Sequence, residues 1–243
     1  MSKKKSLLQG FPAALIVLSA AISICAQNPS GAKHNSRPQQ VADSSSVSET
    51  AATDAVKYSY EFSQPKFYVK HIVIEHDSNG RGTVTFERLN EDTSISEPME
   101  LSTTALARIT SLWQSLQFLD SSTDYQSDKQ FPHLGTMRIT MQRGERKRVA
   151  EFNWTNNSEA SKLVNEYRKA ADQAILVFDI SIARENQPLN APKLMELFES
   201  LLKRDGLSDP HQLLKLLQDM STDEHIPLIA RNHALRLIKQ IQK

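Results

Sequence analysis

Residues 67–89 read FYVKHIVIEHDSNGRGTVTFERL. Two runs rich in β-branched and aromatic residues flank a polar segment, residues 77–82, that contains two glycines. Such runs joined by a glycine-containing turn predict a β-hairpin. In the second run Val84 and Phe86 alternate with polar side chains, which predicts one face toward the core and one toward water. We therefore expect this hairpin to be the centre of an antiparallel sheet.

The turn of this hairpin also begins like a calcium-binding loop. Asp77, Asn79 and Gly82 occupy positions 1, 3 and 6 of that pattern. Arg81 and Arg88 stand where oxygen ligands are needed, and two cations repel Ca²⁺. The sequence therefore favours a plain hairpin turn.

Two histidines of the hairpin, His71 and His76, are five residues apart. On an extended strand an odd spacing places two side chains on opposite faces. They are therefore interpreted as ordinary surface or half-buried histidines, and no metal ligands are assigned in the chain.

Further strands follow from the same alternation of apolar and polar residues. A strand over residues 95–101 is expected at a sheet edge because it contains Pro98. A second hairpin is predicted from residues 136–142 and 148–154. The period-two aromatics at residues 58, 60 and 62 favour a short edge strand.

Helices are predicted between and after these strands. Ser102 fits the N-cap of a helix that ends near residue 118, and residues 156–158 can cap a long helix to about residue 184. The last fifty residues carry helical apolar spacing throughout, with Gly206 as a stop signal. The predicted class is α+β: an antiparallel sheet of four to five strands covered by helices, with a C-terminal all-helical subdomain. The expected domains are residues 66–185 for the sheet and 186–243 for the helical subdomain.

The N-terminus has the pattern of a secretory signal peptide over residues 1–26. Three lysines precede an apolar run that ends in a small residue, Ala26. The alternatives are an uncleaved anchor helix and lipid attachment at Cys25, although the residue before Cys25 is a bulky isoleucine. Cleavage after Ala26 predicts a secreted or periplasmic protein with no membrane span. Residues 27–65 are polar, and we expect them to form a disordered tether.

Composition limits the chemistry that the exported chain can perform. The 243 residues carry a net charge of +1, and removal of residues 1–26 changes it to −2, so no nucleic-acid partner is expected. Cys25 is the only cysteine, so cleavage leaves no disulfide and no thiol chemistry. No cofactor is expected, since the sequence has no phosphate loop and no dinucleotide fingerprint.

Two weak resemblances accompany these patterns. Residues 226–241, IPLIARNHALRLIKQI, resemble the second helix of a HEAT-type repeat, but only one unit is present and it implies no function. Residues 67–182 resemble uncharacterised domains of secreted bacterial proteins, which implies no known activity.

One cluster of side chains is a candidate binding site. The second hairpin holds the cations Arg138, Arg143, Arg146, Lys147 and Arg148, with only Glu145 nearby in the sequence. They could bind an anionic polymer. The alternative is that the same charges protect a solvated sheet edge from aggregation.

No catalytic residue is assigned, because the sequence has no local catalytic motif. The predicted function is an exported, non-enzymatic protein that binds an unknown protein or envelope component. The first alternative is an exported hydrolase whose site is assembled from dispersed residues, with the loop at residues 120–134 as the first candidate region. The second is an anionic-polymer binder that uses the second hairpin.

Overall fold

The computed structural model describes residues 55–243, so the predicted signal peptide and most of the predicted tether lie outside the described residues. The strands are β1 (Val56–Ser63), β2 (Val69–Asp77), β3 (Arg81–Arg88), β4 (Ile95–Glu100), β5 (Thr136–Arg143) and β6 (Arg146–Phe152). The α-helices are α1 (Thr103–Ser115), α2 (Ser158–Asn186), α3 (Ala191–Lys203), α4 (Leu214–Thr222) and α5 (Leu228–Ile241). Short 3₁₀ turns cover Pro132–Leu134, Pro188–Asn190 and Pro210–Leu213.

The six strands form one antiparallel sheet in the order β4-β3-β2-β1-β5-β6. Both predicted hairpins are present, as β2–β3 and β5–β6, and β4 lies at an edge as Pro98 predicts. The α+β class with C-terminal helices is confirmed, but the sheet has six strands rather than four to five.

The additional strand is β1, which pairs with β2 on one side and β5 on the other. The prediction of an edge strand here was wrong, and so was the extension of the tether to residue 65. Tyr58, Tyr60 and Phe62 all point into the core. Their burial removes three aromatic side chains from water and stabilises β1 at the centre of the sheet.

One face of the sheet is covered by α1 and α2, and both begin at side-chain caps. Ser102 Oγ accepts a hydrogen bond from the backbone N–H of Ala105, as predicted. Asn157 Oδ1 accepts one from the N–H of Ala160. The caps satisfy free N–H groups at the helix starts. Within residues 55–243 no helix covers the opposite face of the sheet, which is lined mainly by polar and charged side chains.

The helix α2 joins two hydrophobic cores. Its first part, up to Ile175, packs with the sheet and α1, whereas Leu176 and Ile180 pack with α3, α4 and α5. The predicted helical subdomain therefore shares a helix with the sheet. Within residues 55–243 no helix combines the length and the apolar character needed to span a bilayer.

A chain of hydrogen bonds crosses the sheet core between three elements. Tyr167 on α2 is fully buried, and its hydroxyl accepts a 2.9 Å bond from Trp113 Nε1. The hydroxyl lies 2.8 Å from His76 Nε2, and His76 Nδ1 lies 2.7 Å from the carbonyl of Asp77. The carbonyl of Asp77 can only accept, so Nδ1 carries the proton of the neutral His76 ring, and the Tyr167 hydroxyl donates to Nε2 while it accepts from the indole. Burial lowers the pKa of His76 and raises that of Tyr167.

The two histidines of β2 are thus on opposite faces, as their spacing predicts. His71 is half-buried on the open face, near Glu61 and Glu87. His76 is only 4% exposed. Its interpretation as an ordinary surface or half-buried residue was wrong, because the chain of hydrogen bonds compensates for its burial.

Candidate functional site

The five cations of the predicted basic cluster differ in their contacts: three bind groups of the protein and two are exposed. Arg138 lies on the open face and donates to Glu61 Oε2 at 2.9 Å and to Glu151 Oε2 at 2.7 Å. Glu61 is on β1, far away in the sequence, so the apparent excess of positive charge around Arg138 is neutralised by a neighbouring strand. These contacts raise the pKa of Arg138, first through the hydrogen bond to Glu151.

Two further arginines of this cluster hold the loop after α1. Arg146 donates to Asp120 Oδ1 at 2.6 Å, and Arg148 donates to the carbonyls of Phe118 and Thr123 at 2.6 Å each. The guanidinium of Arg148 also lies 4.7 Å from the centre of the Phe118 ring. Three of the five cations are therefore occupied by the protein itself. The other two, Arg143 and Lys147, are exposed and form no ion pair within the described residues.

The loop at residues 120–134, the candidate region for a hydrolase, brings no nucleophile and base together among the described residues. Ser127 Oγ accepts hydrogen bonds from Lys129 N and Asn156 Nδ2. His133 is exposed and packs edge-on against the ring of Phe131. The loop is fixed by packing of its aromatic residues and by Arg148.

A groove of about 510 Å³ lies elsewhere, between the inner face of β4, the middle of α2 and the start of α4. Its floor is apolar, because Ala174, Val177 and Phe178 of α2 line it. Met99 of β4 and Leu216 of α4 form apolar parts of the two walls. The volume is in the range of about 300–1,000 Å³ that is typical of small-ligand sites.

Hydrogen bonds between two glutamines connect the elements around the groove. Gln173 of α2 donates to Gln212 Oε1 at 3.0 Å and accepts from the N–H of Asp209 at 2.8 Å. Gln212 in turn donates to the carbonyl of Glu100 on β4 at 3.0 Å. These contacts tie α2, the segment before α4 and the edge strand to one another.

Two polar groups of the groove lack a partner among the described residues. Glu97 lies on the inner face of β4, directly opposite the buried Val84, and forms no ion pair or hydrogen bond there. Ser208 is buried, and its Oγ has no hydrogen-bond partner. Both were missed by the sequence reasoning. The alternation of the predicted strand places Glu97 on the same face as Ile95 and Met99. An acid between two inward-facing apolar residues is the signal that could have identified it.

The open edge of β4 is poorly suited to pairing with another strand. The N–H of Leu101, just after β4, donates to the carbonyl of Gly80, just before β3, so the backbone groups of every second residue of β4 counted back from Leu101 point toward β3. Pro98 is three residues before Leu101, so its backbone nitrogen points away from β3, toward the open edge. Proline has no N–H, and this position of the open edge therefore has no donor. The outward edge of β4 therefore lacks one of the backbone donors that an added strand would use.

The lining of the groove combines apolar side chains with a few hydrogen-bonding groups. Its lining includes no histidine or cysteine, so the Ser208 hydroxyl has no imidazole base beside it. Over residues 55–243, no group of three or more His, Cys, Asp and Glu side chains could hold a metal ion. Glu97 can accept hydrogen bonds from a cationic group, and Ser208 can donate to or accept from a neighbouring polar atom.

The chain matches no protein-family model, and no curated protein aligns with it significantly.

Proposed function

We propose that this chain is an exported, non-enzymatic binding protein whose groove holds a short apolar peptide segment with one cationic side chain. The observation that carries the proposal is the unpaired carboxylate of Glu97 beside the apolar floor of α2. Apolar side chains of the ligand remove Val177 and Phe178 from water, at about 25 cal/mol per Å² of area buried. The cationic side chain pairs with Glu97.

A cationic partner follows from the surroundings of Glu97. Asp219 is the acid that α4 contributes to the groove, and it is already paired with Lys215 at 2.7 Å. Glu97 is half-buried next to apolar side chains, where an ion pair is screened less than at a fully exposed site. A neutral or anionic ligand would leave this carboxylate partly dehydrated without a partner, which is unfavourable.

Peptide binding can be measured by fluorescence anisotropy with the full chain. The probe is fluorescein-labelled LVRVL-amide, and its control is the same peptide with citrulline, which has the shape of arginine but no charge. We expect the arginine peptide to bind roughly tenfold more tightly, or about 1.4 kcal/mol, through its pairing with Glu97. Glu97→Gln should remove this difference.

Glu196→Gln is the matched control, since Glu196 is exposed on α3 and lies outside the groove. It should leave both affinities unchanged. Equal binding of the two peptides to the unmodified protein, or an unchanged preference in Glu97→Gln, would contradict the proposal.

Export is supported by the basic and apolar pattern of residues 1–26. Mass measurement of exported material should give an N-terminus at Gln27. An intact Met1 chain or a lipid on Cys25 would contradict this part of the proposal.

A further inference from the structure

We propose that the open face of the sheet binds an acidic polysaccharide in a shallow basin lined by Lys57, Ser59, Glu75, Thr140, Gln142 and Lys147. The basin has a volume of about 540 Å³ and is on the sheet face opposite α1 and α2. It is separate from the groove, and its ligand differs in charge from the peptide proposed for the groove.

The basin has two lysines in register on different strands. Lys57 of β1 is paired with Gln142 of β5, which is paired with Lys147 of β6. Because neighbouring strands are about 4.8 Å apart, the two lysine backbones are separated by roughly 10 Å, with an amide between them. Both lysines are exposed, and neither forms an ion pair within residues 55–243. This arrangement fits a ligand that carries more than one anionic group.

The remaining polar groups favour a ligand that is also rich in hydroxyls. Ser59 and Thr140 are cross-strand neighbours, and Glu75 is paired with Ser59 on the other side. Hydroxyl and carboxylate side chains exchange hydrogen bonds with sugar hydroxyls. Glu75 is exposed and forms no ion pair among the described residues, so it repels a bare polyanion but can accept from a sugar.

The other charges at the rim are occupied by the protein. Asp77 Oδ1 accepts hydrogen bonds from the N–H groups of Asn79 and Arg81 and is held in the turn. Arg81 lies 3.4 Å from Glu100. The basin therefore has a cationic side on β1 and β6 and a hydrogen-bonding side toward β2, which matches the mixed chemistry of a uronic-acid chain.

Affinity electrophoresis of the full chain tests this inference, with sodium polygalacturonate or polyacrylate cast in the native gel. Polyacrylate carries carboxylates without hydroxyls. We expect polygalacturonate to retard the protein at physiological salt and polyacrylate to retard it much less. The double variant Lys57→Gln/Lys147→Gln should lose affinity for polygalacturonate by at least roughly tenfold, since both charge contacts are lost.

The matched control is Lys193→Gln/Lys239→Gln, which changes the net charge equally but alters exposed residues of α3 and α5. It should bind as the unmodified protein does. Glu75→Ala should weaken binding, whereas a purely electrostatic surface would bind more tightly after losing an acid. Equal loss in the control, equal retardation by the two polymers, or tighter binding by Glu75→Ala would each overturn the inference.

Discussion

Replacing Tyr167 with phenylalanine tests the buried chain of hydrogen bonds that joins α1, α2 and β2. The substitution removes one oxygen and leaves the ring that stacks on Tyr60 at 5.3 Å between centres. Two buried groups then lose their partner: the N–H of Trp113 and the Nε2 atom of His76. Each buried polar group left unpaired costs about 1–3 kcal/mol.

We therefore expect Tyr167→Phe to lower the free energy of unfolding by about 2–4 kcal/mol, after partial relaxation of the two partners. For a protein of this size, each 1 kcal/mol corresponds to roughly 2–4 °C in Tm. Urea unfolding followed by far-UV circular dichroism is the suitable assay, because the fluorescence of Trp113 is itself sensitive to loss of its partner. The slope of the free energy of unfolding against urea concentration should be unchanged, which would show that the same surface area is exposed on unfolding.

Tyr60→Phe is the matched control, because it removes the same atom from a ring buried in the same cluster. Burial raises the pKa of Tyr60 to about 12, and its hydroxyl lies against the guanidinium of Arg168. Arg168 is exposed, so water can replace the lost contact. We expect a loss of about 1 kcal/mol or less. If the two variants were equally stable, the hydroxyl of Tyr167 would not be the bridge described here.

Three further predictions concern stability. Burial lowers the pKa of His76, so the unfolded chain takes up a proton at this histidine before the folded chain does as the pH falls below about 6.5. The free energy of unfolding should therefore decrease by up to ~1.4 kcal/mol per pH unit until the pH reaches the pKa of His76 in the folded protein. His76→Gln should lack this pH-dependent loss of stability. Comparing the urea midpoints of the two proteins between pH 7 and pH 5 cancels the contribution of the other histidines. Parallel pH profiles of the two proteins would contradict the prediction. Gly135→Ala should lower stability by about 2–4 kcal/mol in the same assay, because φ is +91° and a Cβ would lie 2.6 Å from the Phe62 ring; an unchanged midpoint would show that the turn adapts. Asp179→Asn should cost about 1.5–3 kcal/mol because half-buried Arg88 loses its 2.5 Å charged partner and keeps only Glu91, at 3.9 Å, whereas Arg88→Met/Asp179→Leu should cost less; the reverse order in calorimetric Tm would contradict this reasoning.

The parts of the fold that could be predicted are those set by nearby residues. The two hairpins, the cap at Ser102 and the edge position of the strand with Pro98 each depend on a few consecutive side chains. Turn and cap preferences act locally, so the sequence pattern is sufficient to predict them. The central position of β1 could not be predicted in this way, because it depends on pairing with β5, about eighty residues later in the chain.

The same distinction explains the errors in the candidate sites. The basic hairpin was interpreted as lacking acids because only Glu145 lies among its cations in the sequence, whereas Glu151 reaches Arg138 across the two strands and Glu61 and Asp120 approach through the fold. The groove depends on three separate segments of the chain, and no motif marks their meeting. The alternation of residues 95–99 indicates that Glu97 faces inward. It does not indicate that the helices leave an open groove beside this residue.

The groove and the two cores are connected through α2. Its 29 residues give a length of about 44 Å, at ~1.5 Å per residue. Ile175 belongs to the sheet core and Leu176 to the helical core, so the groove floor between residues 174 and 178 lies where the two cores meet. Phe178 packs edge-on against Phe86, which holds the sheet side. Because both walls are fixed to one continuous helix, the width of the groove is set by packing rather than by a hinge. The peptide proposed for the groove should therefore meet a preformed surface and lose little affinity to reorganisation of the protein.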